Sequence, residues 1–97
     1  MIALRPFGAT PRAVVPDRRR VAAAFGAVLR AERERAGLSQ EALADLANIH
    51  RTTPSLYERG LRQPTLLCLF TLAARLGTPP ENLVAQTRVL LATCRDD

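Results

Sequence analysis

The chain has 97 residues with fourteen arginines, no lysine and nine acids, giving a formal net charge of +5 and a pI near 10.9. With 47% hydrophobic residues it is too apolar for disorder, and its length suits one domain with one core. No apolar run approaches the ~18 residues of a membrane span, no signal-peptide core opens the chain, and polyanions are the natural partners of so basic a sequence.

Fifteen leucines and sixteen alanines against four aromatics point to an all-α domain, because both residues are strong helix formers. Residues 1–20 hold five arginines and one acid, a local charge of +4. Residues 21–97 are close to neutral at +1. Pro6, Pro11 and Pro16 interrupt the first segment, so residues 1–16 read as an extended basic arm and 17–97 as the folded domain.

The first helix is expected after Asp17, an acceptable N-cap. Val21, Ala24, Phe25, Val28 and Leu29 recur at helical spacing, and Gly37 supplies a left-handed stop. Ser39 caps a short second helix over 40–47, with Leu43, Ala44 and Ala47 inward. Asn48 tolerates positive φ where the chain must turn. A third helix lies between Arg51 and Arg59 and stops at Gly60. Thr65 caps a fourth, whose apolar face is Leu66, Leu69, Phe70, Leu72, Ala73 and Leu76, ending at Gly77. Thr78-Pro79-Pro80-Glu81 combines a capping box with a proline at the first helical position, which predicts a fifth helix over 79–93.

Two short helices separated by Asn48-Ile49-His50 suggest a helix-turn-helix over 40–59. Here the chain resembles the lambda-repressor-like, Cro/Xre-type helix-turn-helix transcriptional regulators. The stretches that carry the resemblance are Leu29-Arg30-Ala31-Glu32-Arg33, Gly37-Leu38-Ser39-Gln40-Glu41-Ala42-Leu43-Ala44, Glu58-Arg59-Gly60 and Leu72-Ala73-Ala74-Arg75-Leu76-Gly77. The resemblance implies a five-helix, lambda-repressor-like DNA-binding domain whose partner is double-stranded DNA.

It also implies roles for particular residues. Ser39 and Gln40 stand at a helix N-terminus, where free N–H groups and the positive dipole end suit a phosphate. The first turn of the third helix enters the major groove and offers His50, Arg51, Thr52, Thr53 and Ser55, with Leu56 in a groove-facing slot. Arg51 can take guanine O6 and N7 with two hydrogen bonds. Thr52 and Thr53 can meet a thymine methyl or a phosphate, and His50 suits a cap or a phosphate neighbour more than a base reader. Arg59, Arg62 and Thr65 follow along the sugar-phosphate backbone. Arg33 and Glu58 match slots that form a partly buried ion pair between helices one and three.

Pro54 departs from the family pattern, which has isoleucine or valine there. Proline is tolerated only in a helix's first turn. The third helix is therefore expected to start at Thr53 or later, with Thr53 as N-cap, Pro54 as first helical residue and Tyr57 filling the space left in the core. Either the groove contacts differ from the family's, or DNA binding is weak and the scaffold serves another purpose.

A single recognition helix reads few base pairs, and a symmetric homodimer through the C-terminal helix is expected, using Leu83, Val84, Thr87, Leu90, Leu91 and Cys94. The alternative is that these residues only cover the first helix. Cys68 and Cys94 form no CxxC, and one histidine accompanies them, so no metal and no cofactor are expected. No acid–base pair, nucleophile arrangement or phosphate loop suggests an enzyme, and nothing implies a small-molecule ligand. The reading is a cytoplasmic transcriptional regulator: a small dimeric repressor or autoregulator on a palindromic operator. The alternatives are the DNA-binding antitoxin of a toxin–antitoxin pair, or an adaptor with a protein partner that kept the fold without DNA. Arg5 and Arg12 of the arm could enter a narrow minor groove.

Overall fold

The computed structural model describes residues 16–93, so the arm with Arg5 and Arg12, and Cys94 at the other end, lie outside the described residues. Five helices follow one another: α1 (Arg18–Arg35), α2 (Gln40–Ala47), α3 (Thr53–Glu58), α4 (Leu66–Leu76) and α5 (Pro80–Thr93). No strand occurs among the described residues.

Local chemistry sets most of the boundaries. The Asp17 carboxylate accepts from the Arg20 amide at 3.3 Å and opens α1. The first turn of α1 holds no acid, so Arg18, Arg19 and Arg20 all face the positive end of its dipole, a placement that costs about 0.3–1 kcal/mol per charge. At the other end the Leu38 amide reaches back to Arg33 O at 3.1 Å, the closing bond of a Schellman turn. Ser39 Oγ accepts from the Ala42 amide at 3.0 Å, and Asn48 ends α2 with φ 57° and ψ 47°. Thr65 Oγ1 accepts from the Cys68 amide at 3.1 Å and opens α4.

Leu29, Leu43, Leu72 and Leu83 are fully buried, one each from α1, α2, α4 and α5. Phe25, Val28, Ala47, Tyr57 and Ala73 complete the same cluster. Each buried leucine contributes about 1.5–3 kcal/mol relative to exposure. The short α3 adds to its buried Pro54 and Tyr57 a close approach of backbones. A Cβ on Gly26 of α1 would lie 2.3 Å from Tyr57 O and 2.8 Å from Glu58 O, so only glycine admits the end of α3 there. Gly60, with φ +74°, then lays the α3–α4 loop on α1, where its own Cβ would come within 3.2 Å of Ala23 Cα.

Three expectations are corrected. Leu66 and Phe70 do not face inward: they are 70% and 53% exposed, because α4 turns Leu69, Leu72, Ala73 and Leu76 to the core and carries the other two on its flank. Leu83 and Thr87 are buried inside the protomer, where α5 packs on α1, and are closed to a partner chain. Helix α5 starts at Pro80 rather than Pro79, and Thr78 Oγ1 accepts from Asn82 Nδ2 at 2.8 Å.

Candidate nucleic-acid interface

The polar face of α2 and α3 is organised around Glu58. Arg33 grips its carboxylate with both arms of the guanidinium fork, Nε to Oε2 at 2.7 Å and Nη2 to Oε1 at 3.1 Å. Arg33 Nη1 also donates to Leu38 O at 2.8 Å, and the side chains of the pair are 11% and 4% exposed. The hydrogen-bonded carboxylate of Glu58 raises the Arg33 pKa against the opposing effect of burial, so the arginine stays charged. Gln40 Nε2 donates to Glu58 Oε1 at 3.0 Å. The cluster therefore joins α1, the start of α2 and the end of α3, and fixes their mutual orientation. The link from Gln40 to Glu58 was not foreseen: its amide nitrogen is engaged inside the protein as well as standing at the α2 N-terminus.

Between α2 and α3 the chain makes a compact turn. The Thr53 amide donates to His50 O at 2.9 Å and the Thr52 amide to His50 Nδ1 at 3.2 Å. Thr52 Oγ1 lies 2.8 Å from the same ring nitrogen. His50 thus caps the turn.

Pro54 is fully buried and sits in the first turn of α3, where its missing N–H would have had no helical partner. Arg51 and Thr52 lie outside the helix, as the proline requires. The register differs by one from expectation: Thr52 occupies the N-cap position without a side-chain cap bond, Thr53 is the first helical residue and Pro54 the second. Tyr57 fills the core beside it, edge-on to Phe25 with ring centroids 6.3 Å apart, its hydroxyl 3.3 Å from Cys68 Sγ. Burial pushes that hydroxyl's pKa well above its ordinary value.

The remaining predicted contact residues divide by exposure. Ser39, His50, Arg51, Thr52, Arg59, Arg62 and Thr65 are exposed, and Gln40, Ser55 and Leu56 are half-buried. Thr53 is the exception: its side chain is buried under the turn and does not lie on the open surface. Arg51 Nη2 approaches Glu41 Oε2 at 3.5 Å in an exposed pair, so the turn arginine already has an acid beside it. Arg59 Nε donates to Ser55 Oγ at 3.2 Å. Of the expected dimer residues, Val84 is exposed, while Leu90 and Leu91 are half-buried.

Two structural residues escaped the sequence reading. Gly26 admits α3, and Glu32 is a buried acid that pairs with Arg35 and accepts from Gln86 Nε2 at 2.7 Å, tying α1 to α5. The signal for Glu32 was present, since it continues the spacing of Phe25, Val28 and Leu29 on the inward face. No cluster of metal-ligating side chains occurs among the described residues, and no helix there is long and apolar enough to cross a membrane.

Known proteins share this arrangement. A family model for the helix-turn-helix domain matches residues 24–86. The restriction-modification controller protein C.AhdI from Aeromonas hydrophila is 39% identical, over 64% of this chain and 94% of that one, with a TM-score of 0.62. A hypothetical transcription factor, NHTF, from Neisseria is 32% identical, over 84% and 97% of the two chains, with a TM-score of 0.65. The clp gene regulator ClgR from Corynebacterium glutamicum superposes with a TM-score of 0.71 over 74% and 77%, a likeness of fold at 24% identity. No curated protein sequence matches the chain.

Proposed function

The chain belongs to the helix-turn-helix family of Cro/Xre-type regulators, and on that premise we propose that it is a small dimeric repressor or autoregulator that binds a palindromic operator. The observation that carries this reading is the locked α2–turn–α3 unit, in which Gln40 ties the start of α2 to Glu58 of α3, Arg33 of α1 holds the same carboxylate, and Arg51 stands exposed on the turn. Ser39 and Gln40 meet a phosphate at the start of α2. Arg51, Thr52, Ser55 and Leu56 face base edges, with His50 holding the turn. Arg59, Arg62 and Thr65 follow the backbone of the duplex. The similarity to a restriction-modification controller supports a regulator built almost entirely from this one unit, since 94% of that chain is matched.

The apolar surface that the core leaves open supports dimerisation. Leu66 and Phe70 of α4 and Val84 of α5 are each more than half exposed, and Leu66 and Val84 border one shallow cleft of about 280 Å³. A two-fold contact there places two recognition turns on one face of a duplex, ~34 Å apart.

Selection of binding sites from random DNA tests the reading and should return a two-fold-symmetric sequence. If each protomer engages four phosphates, log K of the dimer falls against log salt with a slope of roughly −7. Arg51→Ala should weaken discrimination at one base position by about 1–3 kcal/mol. Failure to bind any duplex, with the fold intact, would turn the assignment toward a protein-binding adaptor.

A further inference from the structure

A cleft of about 500 Å³ opens between the first turn of α1 and the α3–α4 loop. Arg18 and Arg19 line it from α1, Arg62 lines it from the loop, and Ala22, Gly60, Leu61 and Gln63 complete the lining. All three arginines are exposed, and none belongs to an ion pair among the described residues. The neighbouring acid, Asp17, is occupied as the helix cap. The loop is held in place by the close approach of Gly60 to Ala23 and by the Leu61 amide donating to Leu56 O at 2.9 Å. Three cations thus converge on the positive end of a helix dipole, an arrangement unfavourable in isolation and relieved by an anion.

We propose that this cleft binds a phosphate, and specifically a phosphate of the DNA backbone that runs past the α3–α4 loop. Guanidinium forks suit phosphate oxygens, and the open cleft admits a continuous strand. The inference rests on the DNA-binding reading above and extends the contact surface to α1, from which that reading draws no DNA contact. It makes Arg18 and Arg19 affinity residues without a part in base choice.

The test is a double variant, Arg18→Ala with Arg19→Ala, titrated with a selected operator duplex over a series of salt concentrations. Alanine keeps the helix. The salt slope should flatten by about 1 per protomer, for the one phosphate lost, while the preferred sequence stays the same. Thermal stability should hold or rise, because two cations leave the positive helix end. An unchanged slope and affinity, alongside an Arg51→Ala control that alters base preference, would overturn this inference and leave the DNA reading standing. A parent protein that binds no duplex removes both. Titration with inorganic pyrophosphate separates the sources: saturation of the cleft by pyrophosphate, with duplex binding insensitive to the double variant, would assign the site to a free anion and overturn the backbone contact.

Discussion

The two sides of the molecule are held together by different means. On the α1–α2–α3 side, the contacts that orient the helices are polar, directional and largely sealed: Arg33, Glu58, Gln40 and the carbonyl of Leu38 form one connected group. On the α4–α5 side the outer residues are apolar and open, with Leu66, Phe70 and Val84 in solvent. A bidentate ion pair has one good geometry, so it sets angles. An apolar flank tolerates small shifts, so it suits association with a second surface. The first side is built for orientation, and the second leaves an apolar surface uncovered.

The largest expected effect breaks the polar side. Glu58→Ala leaves Arg33 buried without its partner and should cost about 3–5 kcal/mol in urea unfolding. The double change Arg33→Met with Glu58→Leu should cost much less, because no unpaired charge remains. Equal losses for the single and double changes would show that the pair contributes packing alone. Next comes the apolar side. Phe70→Asp should leave the unfolding midpoint near that of the parent, since the ring is exposed, yet weaken the dimer at least tenfold, about 1.4 kcal/mol or more, by sedimentation. A lowered unfolding midpoint with unchanged assembly would reverse this division of labour. The smallest change sharpens the contrast. Glu41→Gln removes an exposed partner of Arg51 and should alter stability by less than about 1 kcal/mol. DNA affinity should nevertheless rise, because an acid beside the reading turn is gone. An unchanged affinity would place Arg51 away from the duplex.

Much of the polypeptide path was legible because helix ends are local events. Asp17, Ser39 and Thr65 cap as their side-chain chemistry dictates, and Asn48 takes the left-handed turn. Pro54 placed the start of α3 by steric exclusion within a single turn, although its exact register depended on how deeply the ring could be buried. What could not be read were choices made between helices. The exposure of Leu66 and Phe70, the burial of Thr53 and Thr87, and the turn of Gln40 toward Glu58 depend on which neighbours arrive from elsewhere in the chain. The ion pair was legible only through resemblance, since 25 residues separate its members.

Gly26 has a consequence for how such a protein changes its target. A six-residue helix is too short to persist by itself. Here no layer of side chains lies between its last carbonyls and α1, so main chain meets main chain there, beside the Arg33–Glu58 pair and the buried Tyr57. Arg51, Thr52, Ser55 and Leu56 can therefore be exchanged for others without moving the element that presents them. On the proposed DNA-binding reading, new operators become reachable through the turn and the outer surface of α3, while Gly26, which tolerates no side chain, stays buried between the helices.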